Sequence, residues 1–249
     1  MKTKSSVVIV GMGEVGIPLH AILSTIYSCV PVDIEPVPPG DHCSVLHICY
    51  PFQIGDFVGT TLSYIDKYRP QLTIINSSIP PGTTRSIQRS SAAAVAFSPV
   101  RGKHAKMQQD MLLYKKFVAG CDSRSTELAE RHFKDAGFKT ATFQSPEIAE
   151  LSKLLETTWL GILVGWAQEV ERFGVLYGGS YEEINSFIEE ITFLPSHIFP
   201  GVIGGHCVMQ NIDLLKQCVQ SDFLNAVVNS NKLKRERASQ KELTCSKLA

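Results

Sequence analysis

The chain has 249 residues, with 24 basic and 24 acidic side chains and a formal net charge of zero. This balance gives no electrostatic reason to expect nucleic acid or an anionic membrane surface as a partner, and no apolar run reaches the ~18 residues that cross a bilayer. The seven cysteines form no C-x-x-C pair, so we expect thiols in a reducing cytoplasm and neither a disulfide framework nor a metal site.

The first 145 residues alternate between short apolar runs and helical patterns. This alternation predicts right-handed crossovers and an α/β fold with a doubly wound, mainly parallel sheet. The predicted strands are Ser6–Val10, Val30–Ile34, Val45–Cys49, Leu72–Asn76, Ala92–Phe97 and Phe117–Gly120. The predicted helices are Ile17–Tyr27 and Phe57–Tyr68.

A change of pattern near residue 145 predicts a smaller, all-helical domain built on a long helix. Ser145 is a favourable N-cap and Pro146 suits the first helical position, after which apolar residues recur at helical spacing to about Leu176. A helix of ~30 residues is roughly 45 Å long, which exceeds the width of a small domain. Ser180 and Glu183 form a capping box that predicts the next helix.

A glycine-rich turn joins the first predicted strand to the first predicted helix. The stretch Gly11–Gly16 (GMGEVG) has the G-x-G-x-x-G spacing of a dinucleotide-binding turn in a Rossmann-like fold. Gly11 permits the tight turn, Gly13 lets the backbone approach a pyrophosphate, and Gly16 lets helix and strand pack closely. The N–H groups at the helix N-terminus suit phosphate. The alternative is a glycine-rich turn in some other α/β fold.

An acidic side chain follows the second predicted strand. Asp33 lies roughly 20 residues after Gly11, where a carboxylate accepts hydrogen bonds from an adenosine ribose and repels a 2′-phosphate. NAD is therefore favoured over NADP as the cofactor, and Glu35 is an alternative carboxylate. The other candidate cofactor contacts are Glu14, Val15, Pro51 and Ser77.

The sequence thus divides into a Rossmann-like NAD-binding domain, a helical substrate and dimerisation domain, and a polar tail, over residues 1–145, 146–228 and 229–249. The tail is expected to be a frayed helix or disordered. A homodimer through the long helix is expected, because the helix carries more apolar surface than a lone helical lobe covers. That surface is formed by Trp159, Ile162, Trp166 and Val170.

One cysteine follows a run of glycines in Pro200–Cys207 (PGVIGGHC). Glycines there allow the backbone to approach a ligand and leave the sulfur accessible. A neighbouring imidazolium, such as that of His206, or a helix N-terminus lowers the pKa of a thiol toward a nucleophilic thiolate. The alternative for Cys207 is an inert cysteine.

Four blocks of sequence resemble, in this order, the nucleotide-sugar dehydrogenases, the family of UDP-glucose, UDP-N-acetylmannosamine and GDP-mannose dehydrogenases. The resemblance spans nearly the whole chain up to residue 215, and the cysteine block is its most specific part. The blocks are Gly11–Leu19 (GMGEVGIPL), Ser77–Thr84 (SSIPPGTT), Glu150–Glu171 (ELSKLLETTWLGILVGWAQEVE) and Pro200–Cys207.

The resemblance implies a four-electron oxidation of a sugar CH2OH to a carboxylate with two NAD. A cysteine matching Cys207 forms a thiohemiacetal with the intermediate aldehyde and then a thioester, which water cleaves. A lysine matching Lys153 stabilises a developing alkoxide or accepts a proton. Ser78 matches a threonine or serine that the family places near the nicotinamide and the catalytic water. By residue type alone, Lys153 could equally be a solvated charge on a helix.

Three positions depart from the family pattern. Thr157 replaces an asparagine, Asn211 replaces an acidic residue, and Val100 replaces the glutamate of an N-P-E loop that helps to hydrolyse the thioester. Valine cannot activate water or accept a proton, so the full oxidation loses support. We also expect the family's C-terminal nucleotide-binding domain to be absent, because the sequence ends soon after the central helices.

In place of the N-P-E loop the chain carries a basic loop at the end of a predicted strand, where ligands bind in such sheets. Its side chains suit a phosphate or carboxylate on the substrate, and the alternative is an exposed basic loop. The basic residues are Arg101, Lys103, His104 and Lys106. The candidate substrate contacts are Arg101, Lys103, His104 and His206.

The leading interpretation is an NAD-dependent oxidoreductase that acts on a hydroxyl or aldehyde of a sugar-like substrate through Cys207 and Lys153. One alternative stops after a single hydride transfer, as in the 6-phosphogluconate and hydroxyisobutyrate dehydrogenases, and needs a lysine but no hydrolytic carboxylate. Another is a non-catalytic NAD-binding protein. Catalysis is favoured if both residues line one cavity against the nicotinamide, and the binding protein if either faces solvent.

Overall fold

The computed structural model describes residues 6–33, 43–102, 104–192, 194–195, 197–204 and 207–245. The chain forms two compact units, Met1–Lys153 (unit 1) and Leu154–Ala249 (unit 2). The division falls inside the long helix that begins at Pro146. The domain boundaries placed at residues 145 and 228 from the sequence stay a prediction.

Unit 1 is built on one mainly parallel sheet with helices between its strands. The strands are β1 (Ser6–Val10), β2 (Ser28–Val32), β3 (Val45–Ile48), β4 (Leu72–Ile75), β5 (Ala94–Phe97), β6 (Lys116–Gly120) and β7 (Thr140–Thr142). The helices are α1 (Gly16–Leu23), α2 (Phe57–Tyr68), α3 (Thr83–Arg89), α4 (Met107–Leu113), α5 (Ser123–Asp135) and the start of α6 (Pro146–Leu176), and two 3-10 turns lie at Phe52–Ile54 and His104–Lys106.

The seven strands lie in the order β2-β1-β3-β4-β5-β6-β7. Neighbouring strands are parallel except β5 and β6, which are antiparallel. One face of the sheet packs against α1, α4 and α5 through a core that includes Val7, Ile9 and Phe133. The other face packs against α2, α3 and the start of α6 through a core that includes Val8 and Val10. The predicted doubly wound, Rossmann-like α/β fold is confirmed.

Several boundaries differ from the predicted ones for local reasons. The helix predicted over Ile17–Tyr27 ends at Leu23, because Ser24 and Thr25 hydrogen-bond to the preceding turn through their side chains and so compete with helix propagation. Strand β2 begins and ends two residues earlier than predicted, since its parallel register with β1 runs from Ser6 to Val10. Helices α3, α4 and α5 and strand β7 have no predicted counterpart.

Unit 2 is helical in its described residues. It contains the rest of α6 together with α7 (Tyr181–Glu189), α8 (Val208–Cys218) and α9 (Asp222–Cys245). Helix α6 ends at Leu176 as predicted, and the Ser180 side chain accepts from the Glu183 N–H at 3.1 Å, as the capping box requires. Of the two alternatives for the tail, the structure shows helix through Cys245, with Ser230 and Asn231 buried. None of the described helices is long and apolar enough to cross a membrane.

A chain of buried hydrogen bonds crosses the core of unit 1. The ring of Tyr27 stacks on His132 with 4.7 Å between centroids. Nε2 of His47 lies 2.9 Å from Nε2 of His132, and Nδ2 of Asn76 donates to Nδ1 of His47 at 3.1 Å. His47 therefore carries its proton on Nε2 and donates it to His132, so both rings are neutral. Burial lowers the pKa of His132 to about 4 and holds the pKa of His47 well below its usual range.

We expect His132→Gln to flatten the pH dependence of folding. In the wild type, unfolding lets His132 take up a proton below its ordinary pKa, so stability that is present above pH 6.5 is lost as the pH falls toward 4. A shift of this size corresponds to roughly 3 kcal/mol. Urea unfolding at pH 7, 5.5 and 4 measures it, with His20→Gln on α1 as the matched control. Identical pH profiles for the wild type and His132→Gln would contradict the expectation.

Candidate functional site

In the turn at Gly11–Gly16, the space for a side chain is blocked by backbone at two of the glycines and is open at the third. Gly11 adopts a φ of +93°, and a Cβ there would lie 2.6 Å from the backbone N of Tyr50. A Cβ on Gly16 would lie 1.9 Å from the carbonyl oxygen of Gly11. A Cβ on Gly13 would meet no atom within 4 Å beyond its chain neighbours. The open side at Gly13 is where a pyrophosphate approaches the backbone in turns of this type.

The N-terminus of α1 faces the same turn. Val15 is the N-cap of α1 and makes no side-chain hydrogen bond to the helix, and Glu14 is exposed. The Ile17 N–H already donates to the Gly13 carbonyl at 3.1 Å and Pro18 has no N–H, so an anion here would depend on the N–H groups of the turn and on the positive end of the helix dipole. The Gly11 N–H donates to the Val32 carbonyl at 2.9 Å, which fixes the turn against the end of β2.

The remaining cofactor candidates lie at the carboxyl ends of β2, β3 and β4. Asp33 is exposed and directly follows Val32, while Glu35 lies outside the described residues. Pro51 is exposed after β3. Ser77 is buried, and its hydroxyl donates to the Tyr50 carbonyl at 2.5 Å. The Ser77 side chain therefore joins the ends of β3 and β4.

Ser78 and Lys153 both belong to unit 1 and are half-buried. The loop that begins with Ser78 continues into α3, and its backbone contacts α6. The carboxylate of Glu150, one turn before Lys153, accepts the N–H groups of Gly82 at 2.6 Å and of Thr84 at 2.8 Å. Burial raises the pKa of Glu150 to about 7, against the opposing effect of the Thr84 side chain and of these two N–H donors.

A second contact between the same elements is an ion pair. Arg85 of α3 binds the carboxylate of Glu147 on α6 through both Nε and Nη2. The guanidinium donates the hydrogen bonds that hold the pKa of Glu147 below its usual range. The sequence around Glu147 and Glu150 gives no indication that their partners lie on another element.

A buried lysine that the sequence analysis did not single out holds the loop that replaces N-P-E. Lys116 is 3% exposed, and its Nζ donates to the carbonyls of Ser98 at 2.9 Å and Pro99 at 3.1 Å. Burial lowers the pKa of Lys116 to about 7. Val100 packs in the core beside Met107, so the position of the family's glutamate is filled by core packing. A lysine at the start of an apolar strand was the signal that could have revealed this contact.

The basic loop is described only in part. The guanidinium of Arg101 lies over the rings of Tyr114 at 5.6 Å and Phe117 at 5.3 Å, which supports a packing role. Lys106 is exposed. Lys103 and the His104 side chain lie outside the described residues, as does His206, and anion binding by these residues stays a prediction.

Cys207 lies in unit 2 and is exposed at the N-cap position of α8. Its carbonyl accepts the N–H of Asn211 at 3.0 Å. The Asn211 side chain in turn donates through Nδ2 to Oγ1 of Thr157 at 2.7 Å. Two of the departures from the family pattern therefore contact each other as a neutral pair. The exposure of Cys207 is the outcome that the sequence analysis took to favour a non-catalytic NAD-binding protein, and a cavity shared by Cys207 and Lys153 stays a prediction.

The loop that leads to Cys207 is held by side chains of α6 and α9. Buried Gln168 donates to the Gly201 carbonyl at 2.7 Å. Buried Asn231 accepts the Ile203 N–H at 2.8 Å and donates to the Ile203 carbonyl at 3.0 Å. Asn231 thus pairs with both polar groups of one residue, although it belongs to the segment that the sequence analysis assigned to a polar tail.

No metal-binding group of three or more His, Cys, Asp or Glu side chains occurs among the described residues. The six cysteines whose side chains are described form no disulfide: Cys29, Cys43, Cys49, Cys121, Cys207 and Cys218.

Known proteins similar in sequence are nucleotide-sugar dehydrogenases, although no protein-family model matches the chain. The UDP-N-acetyl-D-mannosamine dehydrogenase of Pyrococcus horikoshii is 25% identical over 166 residues, covering 62% of this chain and 40% of that protein. The enzyme of the same name from Methanococcus vannielii is 28% identical over 159 residues, covering 61% of this chain and 36% of that protein. The chain thus aligns with less than half the length of these relatives. The resemblance predicted from the four sequence blocks is confirmed.

Solved structures with the same fold include members of two dehydrogenase groups. The UDP-D-ManNAc dehydrogenase of Pyrococcus horikoshii matches with a TM-score of 0.82 at 18% identity, over 94% of this chain and 70% of that chain. The 3-hydroxyisobutyrate dehydrogenase of Mycobacterium tuberculosis matches with a TM-score of 0.70 at 13% identity, over 95% of this chain and 94% of that chain. At these identities the likeness establishes the fold.

We expect Gly16→Ala and Gly13→Ala to differ sharply in stability. The alanine Cβ at residue 16 would collide with a backbone oxygen that cannot move aside, at a cost of roughly 3 kcal/mol. The Cβ at residue 13 points into open space, so stability should stay within about 0.5 kcal/mol of the wild type. Urea unfolding followed by circular dichroism compares the two. Equal losses in both variants would refute this assignment of the closed and open glycines.

Proposed function

We propose that the chain is an NAD-dependent oxidoreductase that acts on a hydroxyl or aldehyde group of a sugar-like or nucleotide-sugar substrate. The observation that carries the proposal is the turn in which Gly11 and Gly16 are closed by backbone while Gly13 opens to a ligand. The relatives named as dehydrogenases of a nucleotide sugar support the same reaction class.

The residues at the carboxyl edge of β1 and β2 fit NAD. The turn offers N–H groups to a pyrophosphate, and the start of α1 adds the positive end of its dipole. Exposed Asp33 accepts hydrogen bonds from the adenosine ribose and disfavours a 2′-phosphate. When bound, NAD supplies the acceptor for a hydride from the substrate.

In the proposed reaction, side chains of this protein accept the hydroxyl proton of the substrate and form a bond to its carbonyl carbon. Lys153 stabilises the developing alkoxide or accepts the hydroxyl proton, and Ser78 donates a hydrogen bond to the reacting oxygen. The thiol of Cys207 then adds across the aldehyde, with its sulfur bonding to carbon and a proton going to oxygen. This adduct would become a thioester by losing a second hydride, for which a second NAD would be the acceptor, and its hydroxyl proton; water would then hydrolyse the thioester to the acid and the free thiol of Cys207.

A specific observation favours a second candidate, a dehydrogenase that stops after one hydride transfer. Val100 packs in the hydrophobic core of unit 1, and Thr157 and Asn211 form a neutral hydrogen-bonded pair. None of these positions offers a carboxylate to activate water for thioester hydrolysis. This candidate needs Lys153 as the proton acceptor and leaves Cys207 as a residue that lines the pocket.

Counting NADH formed per substrate separates these candidates. The purified protein is incubated with NAD and a panel of UDP-sugars, GDP-mannose and sugar phosphates, and the absorbance of NADH is followed. Two NADH per substrate support the full oxidation, and Cys207→Ser should then stop the second step. One NADH supports the single oxidation. In both cases we expect Lys153→Met to lower kcat by about 10²-fold or more, and Cys218→Ser, at another exposed cysteine of α8, to leave it unchanged.

The cofactor is tested apart from the reaction by calorimetric titration with NAD. Gly13→Ala should fold normally and bind NAD at least about tenfold more weakly, because its Cβ occupies the pyrophosphate approach. Lack of NAD binding by the wild type would overturn the proposed cofactor. Intact NAD binding with no NADH from any substrate of the panel would replace the enzyme by a non-catalytic NAD-binding protein.

The assembly and location complete the proposal. The exposed side chains of one α6 stripe, Leu155, Trp159, Trp166 and Phe173, are 50%, 59%, 60% and 51% accessible. Such a stripe supports a homodimer through α6. Ile162 is half-buried, whereas Val170 packs beside Tyr181 in the core of unit 2 and adds nothing to that surface. The absence of disulfides among the described cysteines fits a reducing compartment, and we place the protein in the cytoplasm.

We expect Trp159→Glu combined with Trp166→Glu to yield a monomer. Two carboxylates on the stripe would have to be desolvated at a dimer interface, so association should weaken by about 10²-fold or more. Sedimentation velocity over a dilution series measures this. Phe187→Glu, at an aromatic residue of α7 that is 78% exposed, is the control and should remain dimeric. A wild type that is monomeric at every concentration would refute the dimer.

A further inference from the structure

Glu150 is a charged side chain in the core of unit 1. It is 0% exposed, and a buried carboxylate is costly unless hydrogen bonds replace its water. Two backbone groups of one loop, the N–H groups of Gly82 and Thr84, donate hydrogen bonds to the Glu150 carboxylate in place of water. The Glu150 carboxylate thus binds two residues of one short stretch of the loop.

The loop is shaped to present these two donors. Gly82 adopts a φ of +94°, a left-handed conformation that favours glycine. Thr83 closes the turn by donating through its N–H and its hydroxyl to the Pro80 carbonyl, at 3.2 and 2.7 Å. The left-handed residue and the turn aim the N–H groups of residues 82 and 84 at the same carboxylate.

The loop and the helix each carry one proposed catalytic residue. Ser78 lies at the start of the loop, four residues before Gly82, and Lys153 lies three residues after Glu150 on α6. Residues three apart lie on the same side of a helix. One side chain therefore ties the segment that carries Ser78 to the segment that carries Lys153.

We propose that Glu150 is a positioning residue that sets the spacing of Ser78 and Lys153, and that it does so in its ionised form. The inference rests on the proposed function for the roles of those two residues. An ionised carboxylate accepts both N–H groups. In a protonated carboxyl the hydroxyl oxygen is a weaker acceptor than a carboxylate oxygen, so one of the two hydrogen bonds is weakened.

The surroundings place this change in an accessible pH range. Burial raises the pKa of Glu150 to about 7. The titratable and charged groups that interact with it are Glu147 on the same helix, Arg85 on α3 and Cys121 after β6. Arg85 is bound by Glu147, and the groups that favour the ionised form of Glu150 are the Thr84 side chain and the N–H groups of Thr84 and Gly82.

The sign of the stability effect is opposite to that of the positioning effect. Because the folded-state pKa lies above the ordinary 4.5, the contribution of Glu150 to stability is present below pH 4.5 and is lost as the pH rises through 7. The ionised form of Glu150, which holds Ser78 and Lys153 at their spacing, predominates above pH 7. In that range Glu150 contributes least to the stability of the fold. A purely structural carboxylate would give no such opposition.

The test compares Glu150→Gln with Glu147→Gln, a matched change one turn away whose partner is a side chain. In Glu150→Gln, an amide N–H2 replaces one acceptor oxygen, so we expect amide hydrogen exchange at Gly82 or Thr84 to be at least tenfold faster, measured by NMR at pH 8. We expect the urea midpoint of the wild type to fall, relative to Glu150→Gln, between pH 5 and pH 8. Glu147→Gln should show neither change. Unaltered exchange at Gly82 and Thr84 would overturn the positioning role.

The catalytic arm uses the active substrate found with the NADH assay. We expect the kcat of Glu150→Gln to be at least tenfold lower with an unchanged KM for NAD, and the acid limb of the wild-type kcat profile near pH 7 to disappear. Glu150→Asp keeps the charge and should recover part of kcat. A wild-type kcat for Glu150→Gln would overturn the proposal. If no substrate is turned over, hydrogen exchange and the urea midpoints still decide on the contact, and the proposed function alone has failed.

Discussion

The fold of unit 1 depends on the close approach of residue 16 to the carbonyl of Gly11, which is possible only for a residue that has no side chain. The carbonyl oxygen of Gly11 lies 1.9 Å from the place that a Cβ of residue 16 would occupy, so α1 can begin this close to the end of β1 only when residue 16 is glycine. With the helix held there, Leu19 and Leu23 are buried on the same face of the sheet as Ile9. Strands β2 and β3 flank β1 and run parallel to it, so the carboxyl ends of all three strands lie at the same edge of the sheet.

Buried polar side chains hold the loops of both units by their backbones. Lys116 binds two carbonyls, Glu150 binds two N–H groups, and Asn231 binds one of each kind. Burying a charge is costly, but a charged group forms stronger hydrogen bonds than a neutral one. Contacts of this type fix the path of a loop and leave the side chains of the loop available for a ligand. They also give unit 1 two groups whose pKa lies near 7.

Local signals predicted much of the architecture. The apolar run of β1, the bounds of α2 and the caps of α6 and α7 could be identified from neighbouring residues alone, and so could the tight turn at Gly11 and the close packing at Gly16. Non-local choices could not. The apolar run of β6 gives no indication that it pairs antiparallel with β5, and the three-residue strand β7 has no apolar pattern. Val170 was assigned to the surface because helical spacing does not reveal which face Tyr181 covers.

Helix α9 shows how composition can mislead about what a chain needs. Its sequence is polar and rich in charge, the usual mark of a segment that can be removed without harm. Yet the Asn231 side chain hydrogen-bonds to Ile203 as the backbone of a neighbouring strand would. It accepts the Ile203 N–H and donates to the Ile203 carbonyl. A chain shortened before residue 231 would leave the N–H and the carbonyl of buried Ile203 without these partners, four residues before the exposed thiol of Cys207.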